Sequence, residues 1–149
     1  MKENTVQQFI PYLSFDGNCK EAIQFYHKTF GGNIVAMMHF ADTPMGAQLP
    51  TEIAQRVMHA YLALDDGSAL YGGDAPTHEP FRGQIGVTIT MSYQTVAQAQ
   101  QVFEALSAGG KITMPLAPSF WAKIFGMVTD RFGTSWAING EQLAVDRVD

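Results

Sequence analysis

The chain has 149 residues, 46% of them apolar, and a net charge of −5 with no run of lysine or arginine. That apolar content supports a packed core and excludes a disordered chain, while the absence of a basic patch excludes ordinary nucleic-acid binding. The single cysteine, Cys19, excludes an internal disulfide framework.

No apolar run reaches the length of a transmembrane helix, and residues 1–8 lack the apolar centre of a secretory signal. A cytoplasmic protein with no membrane partner is therefore expected. In chain order, residues 9–15 read as a strand broken by Asp16-Gly17. Asn18 with Glu21 has capping-box spacing. Cys19, Ala22, Ile23, Tyr26 and Phe30 recur at helical spacing, and Gly31-Gly32 ends that helix. Strand two spans 33–40 and a long loop 41–55. Strands three and four, at 56–64 and 68–73, flank the turn signal Asp65-Asp66-Gly67. Residues 74–83 read as a linker, then 84–91 as strand five. Ser92 or Thr95 caps a second helix, with Gln98 completing a box to Thr95. Its apolar stripe is Val96, Ala99, Val102, Phe103 and Leu106, and Gly109-Gly110 ends it. Residues 111–116 form strand six. An aromatic-rich hairpin from Phe120 to Asn139, turning at Asp130 to Gly133, supplies strands seven and eight.

The order βαβββ thus occurs twice. The Gly-Gly stops lie 78 positions apart, and the hairpin glycines Gly67 and Gly133 lie 66 apart. The difference of 12 falls between strands two and three, where the first half has the longer loop. A duplication with one variable loop accounts for it.

Three segments carry a resemblance to a known family. They are Pro11-Tyr12-Leu13-Ser14-Phe15 with Gly17-Asn18 and Ala22-Ile23-Gln24-Phe25-Tyr26; Gly72-Gly73-Asp74-Ala75; and Phe120-Trp121-Ala122 through Phe125 to Gly133 and on to Trp136-Ala137-Ile138-Asn139. This pattern resembles the vicinal oxygen chelate superfamily of glyoxalases, bleomycin-resistance proteins and extradiol dioxygenases. Within it, the chain is similar to the PhnB-like subgroup, often labelled 3-demethylubiquinone methyltransferase-like. The resemblance implies an α+β fold. Two paired βαβββ modules, about 9–73 and 84–140, would form curled mixed sheets around a cavity, with helices outside, in one domain spanning 1–149. It also implies a homodimer.

In metal-dependent members of the superfamily, four ligands come from strands one, four, five and eight. The resemblance places these positions at Pro11, Tyr71 or Gly72, Gln84 and Ala137. Only Gln84 carries a metal donor of even modest strength. No cofactor is therefore expected. A divalent metal held by Gln84, His59 and Asp74 is the alternative. Strand alternation puts Ser135, Ala137 and Asn139 on one face and turns Trp136 toward the helix layer. His59 runs in phase with Tyr61 and Ala63. His39 shares a strand with Met37, and His27 and His78 read as solvated. Cys19, at a helix start, reads as part of the apolar stripe. His59, Tyr71, Gln84, Phe120, Trp121 and Phe125 are the expected substrate-binding residues, an apolar lining with sparse polar anchors. The competing reading of those aromatics is ordinary core packing.

There is no P-loop, no dinucleotide fingerprint and no nucleophile elbow. The expected function is small-molecule binding of the glyoxalase/bleomycin-resistance type. A metal-dependent lyase, isomerase or dioxygenase, and a quinone-type methyltransferase as the subgroup label suggests, are the alternatives.

Overall fold

The computed structural model describes residues 7–75 and 80–144. The chain divides into two compact units, Met1–Phe81 and Arg82–Asp149, and the boundary falls inside the expected linker. His78 lies outside the described residues.

In the first unit, β1 (Tyr12–Phe15) leads into α1 (Cys19–Phe30), followed by β2 (Asn33–His39), β3 (Val57–Ala63) and β4 (Ala69–Asp74). The sheet order is β1-β4-β3-β2, with β1 parallel to β4 and the other pairs antiparallel. The expected loop 41–55 contains two 3₁₀ turns, Phe40–Asp42 and Gly46–Gln48, and a short helix α2 (Thr51–Ala54). The second unit repeats the plan with β5 (Ile89–Tyr93), α3 (Val96–Ser107), β6 (Lys111–Ala117), β7 (Ala122–Thr129) and β8 (Ser135–Gln142), in the order β5-β8-β7-β6. These are the α+β fold and the twice-used βαβββ order expected from the sequence.

The duplication extends to the strand register. Adding 78 to positions in the first two strands and 66 to positions in the last two converts one sheet's pairing into the other's, except at the far ends of β2 and β6, where Met38 pairs with His59 but Ala117 pairs with Phe125. Tyr12↔Tyr71 becomes Thr90↔Ala137, and Phe15↔Asp74 becomes Tyr93↔Gly140. Tyr61↔Tyr71 becomes Met127↔Ala137. A register shift between Ile34 and Ala36 recurs between Ile112 and Met114. A bulge inserts a residue and bends the strand, so its recurrence at the same step argues for a common ancestor more strongly than the glycines do.

Each helix packs on one face of its own sheet. Helix α1 buries Cys19, Ala22, Ile23 and Tyr26, and α3 buries Ala99, Val102, Phe103 and Leu106. Twelve-residue helices are marginal alone. Burial, at about 1.5–3 kcal/mol for each large apolar side chain, holds them. Glycines let backbone and helix approach. A Cβ on Gly72 would meet Cys19 Sγ at 3.3 Å and Ile23 Cδ1 at 3.4 Å, so this face of the first sheet lies against α1. A Cβ on Gly126 would sit 2.9 Å from Phe103 Cε2, which marks the corresponding face of the second.

Two helix starts differ from each other. Thr95 and Gln98 form the expected capping box on α3. Asn18 makes no side-chain cap. Asp74 does the work instead: its Oδ1 accepts the N–H groups of Gly17 at 2.8 Å and Cys19 at 3.0 Å, and its Oδ2 accepts that of Val57 at 2.8 Å. A carboxylate is a stronger acceptor than an amide oxygen and favours the positive end of the helix, so the long-range cap displaces the local one. Strands one and five also start later than expected, at Tyr12 and Ile89 rather than 9 and 84. Pro11 still accepts the Tyr71 N–H at 2.9 Å, but it has no N–H of its own to continue the β1–β4 ladder, and residues 84–87 run past the start of β8 at Ser135.

Candidate functional site

Strand alternation leaves each sheet one face pointing away from its helix. In the first unit that face carries Tyr12 from β1, Tyr71 from β4, and His59 and Tyr61 from β3. Tyr71 stands at the centre. Its ring is close to perpendicular to Tyr61 (5.0 Å, 73°), His59 (5.0 Å, 74°) and Tyr12 (6.5 Å, 82°). Tyr12 and His59 lie nearly parallel, 6.1 Å apart at 28°. Edge-to-face packing of this kind satisfies the ring quadrupoles. Tyr12 is 52% exposed and the other three are half-buried. The Tyr12 hydroxyl donates to the Met58 carbonyl at 3.1 Å, and Gly73 makes room for it: a Cβ there would lie 2.5 Å from the phenol oxygen. Burial first, then the nearby Cys19 and Asp74, raise the pKa of that phenol above its usual value, so it stays a donor.

The corresponding face of the second unit is different. Phe120, Trp121 and Phe125 pack edge to face in series, at 4.8 and 5.0 Å. The Trp121 indole N–H donates to Asn139 Oδ1 at 2.9 Å, and the Asn139 amide in turn reaches Ser92 Oγ at 3.3 Å. Asn139 is buried, whereas Phe120 is 77% exposed. Trp136 points the other way, into the core, where its indole N–H donates to Asp130 Oδ2 at 2.8 Å.

Of the residues expected to bind substrate, His59 and Tyr71 meet in the first unit, and Phe120, Trp121 and Phe125 meet in the second. Gln84 is not on strand five. It lies in the segment before β5, and its amide donates to the buried Thr134 hydroxyl at 2.9 Å. The repeat register shows why it was misplaced: adding 78 to Pro11 gives Ile89. Tyr12, Tyr61, Ser92 and Asn139 were not expected at the site. Tyr61 and Asn139 share a strand phase with His59 and Ala137. Tyr12 and Ser92 needed the parallel β1–β4 and β5–β8 pairings, which no local signal reveals.

The donors do not fit the divalent metal that the resemblance implies for metal-dependent members. Pro11 lies just outside β1. The cross-strand pairs on the faces away from the helices are Tyr12↔Tyr71 and Thr90↔Ala137, without imidazole or carboxylate. Asp74 turns to the helix side, where three backbone N–H groups occupy its oxygens. Among the described residues, no three His, Cys, Asp or Glu side chains gather as a metal would need.

Cys19 is fully buried, and burial with the Asp74 charge pushes its thiol up to about 12, opposite to the activating effect of a helix start. His39 stands 3.6 Å from Asp42 beside a 3₁₀ turn, and His27 bonds the Gly32 carbonyl. A cleft of about 430 Å³ lies beside Gly17, Glu52, Gln55 and Arg56. Its Arg56 guanidinium is already engaged by Asp16 and the Ala75 carbonyl.

Residues 7–139 match the family described as 3-demethylubiquinone-9 3-methyltransferase. The chain is 34% identical over 137 residues to the protein YjdN of Escherichia coli K12, covering 87% of this chain and 92% of that one. Among solved structures it is similar to protein PA1353 of Pseudomonas aeruginosa, with 41% identity, a TM-score of 0.83, and coverage of 90% and 97%. The PhnB protein of Bacillus cereus follows at 26% identity, a TM-score of 0.74, and coverage of 89% and 98%. A glyoxylase/bleomycin resistance protein/dioxygenase domain from Frankia shares the fold at 12% identity, with a TM-score of 0.61 and coverage of 94% and 99%. No helix among the described residues is long and apolar enough to cross a membrane.

Proposed function

We propose a ligand-binding function for this chain, which belongs to the 3-demethylubiquinone-9 3-methyltransferase family and has the fold of the glyoxalase/bleomycin-resistance type. It binds a small organic molecule on the sheet faces that point away from the helices. The supporting observation is the Trp121–Asn139–Ser92 relay. A buried amide holds a tryptophan edge in place beside an exposed phenylalanine. Core tryptophans such as Trp136 are enclosed; Trp121 is oriented by a hydrogen bond and left accessible. Convergent aromatic surface with a few fixed polar groups is the usual composition of a ligand site.

Binding requires only such a surface, whereas catalysis needs placed acids, bases or metals. The groups near these rings are phenols, an imidazole, an amide and hydroxyls. This composition supports recognition more than metal-dependent chemistry or methyl transfer.

The test is a screen of small organic compounds followed by tryptophan fluorescence. A ligand should alter the emission of the native protein and of the Trp136→Phe variant. It should leave the Trp121→Phe variant silent. Saturable binding that reports only through Trp136 would refute the assignment of the site.

A further inference from the structure

We propose that the tyrosine and histidine group of the first unit, Tyr12, His59, Tyr61 and Tyr71, is a subsite for an organic monocation of the alkylammonium class. The inference rests on the ligand-binding reading above and names the chemistry of one of its faces.

Three observations lead to it. The first is ring geometry. Three rings stand nearly perpendicular to Tyr71, and the near-parallel pair, Tyr12 and His59, is too close at 6.1 Å to admit a planar ring between them. Stacked rings need about 3.5 Å on each side. A compact, rounded group can still rest against several ring surfaces at once, and the face of a phenol ring is its electron-rich part.

The second is what is missing around the rings. The face away from α1 also carries Ser14, Ala36, Met38, Ala63 and Gly73, so no lysine or arginine on these strands competes for the phenols. An anionic ligand would find no lysine or arginine on these strands. The third is charge. Residues 7–75 contain seven Asp and Glu against three Lys and Arg, and one of those three, Arg56, is paired with Asp16. The surrounding field therefore attracts a cation and repels an anion.

These rings also lack the features of a simple core. Tyr12 is half exposed, and its hydroxyl is fixed by the Met58 carbonyl through space that Gly73 leaves open. A cation brings its own charge to rings that need only supply their faces. Cation–aromatic contacts strengthen as the site is desolvated, and the half-buried positions of His59, Tyr61 and Tyr71 provide part of that desolvation.

The experiment uses the full chain and two probes of almost equal shape, choline and its uncharged analogue 3,3-dimethylbutan-1-ol. Amide shifts are followed by ¹⁵N–¹H NMR. Choline should move the signals of Tyr12, His59, Tyr61 and Tyr71 saturably, and the alcohol at the same concentration should not. Tyr61→Leu should weaken choline binding by about fivefold or more, and Tyr61→Phe, which keeps the ring, by less than about twofold. Dispersed spectra of both variants would show that the fold persists. Equal response to the two probes would overturn the cation class and leave the ligand-binding reading in place. Choline shifts confined to other residues would overturn the subsite. Silence toward both probes, with a screened compound still reporting through Trp121, would refute this inference alone; silence in both experiments would refute both.

Discussion

Asp74 caps the helix that begins at Cys19, although 55 residues separate them. The last residue of β4 thereby fixes where α1 starts and, through Val57, where β3 begins. Asp74→Asn keeps the shape but replaces one acceptor with a donor that faces an N–H group. Bonds to charged groups contribute about 1.5–3 kcal/mol each, so a loss of about 2–4 kcal/mol is expected. Urea unfolding monitored by circular dichroism measures it, and a change below about 0.5 kcal/mol would show that the cap is dispensable.

Gly140 occupies the corresponding place in the second unit, with no side chain at all. A Cβ there would lie 2.6 Å from Ile124 Cγ2 and 2.8 Å from Ala99 Cβ. Gly140→Ala should therefore cost about 1–3 kcal/mol through overpacking against α3. A neutral or stabilising result in the same assay would mean that the helix has room to retreat.

The Cys19 thiol should be inert. Its pKa is raised from 9.0 to about 12, by burial and then by Asp74. The folded protein holds this proton at pH values where the unfolded chain releases it. Its stabilising contribution is thus complete below about pH 9 and is lost as the pH rises toward about 12. The raised Tyr12 phenol adds loss in the same direction. Cys19→Ala should flatten the fall in urea midpoint between pH 8.5 and 10.5, and a thiol-specific disulfide reagent should react with the native protein only as fast as it unfolds.

Titration with Zn²⁺, Mn²⁺, Ni²⁺ and Fe²⁺, on protein purified without chelator or affinity tag, should reveal no single sub-micromolar site. Gln84 is bonded to Thr134, and the Asp74 oxygens are occupied. One tight equivalent that disappears in His59→Ala or Gln84→Ala would reverse this expectation and shift attention to metal-dependent chemistry.

Much of the fold was legible because its signals are local. Apolar spacing gave the two long helices, α1 and α3, and paired glycines gave their ends, whereas the short α2 was read as loop. The Thr95–Gln98 box was readable because cap and partner sit three residues apart. The cap of α1 was not, because its acceptor comes from another strand. Gln84 was misplaced for a related reason: an alternating, strand-like sequence becomes a strand only where a neighbour supplies hydrogen bonds, and β8 does not reach back that far. The ring group was half legible. His59 and Tyr61 share a strand phase that alternation exposes, and Tyr71 was suspected from its type. Tyr12 joins them only through the parallel pairing of the first and last strands in the unit. Trp121 and Trp136 illustrate the same divide. Strand phase turned Trp136 into the core, but the bond from Trp121 to Asn139 spans two strands and has no sequence signature.

Three strands of each sheet share one register, so they offer the same frame to the side chains they carry. Tyr12, His59, Tyr61 and Tyr71 correspond, strand by strand, to Thr90, Phe125, Met127 and Ala137. One backbone plan thus carries two surfaces of different chemistry on the same strand frame. Transplanting the first surface onto the second requires four side-chain exchanges, Thr90→Tyr, Phe125→His, Met127→Tyr and Ala137→Tyr, with no insertion and no shift in the β5–β8 or β7–β8 pairing. Duplication has in effect given this chain a second copy of its own strand frame, on which side chains can change while the first copy is kept.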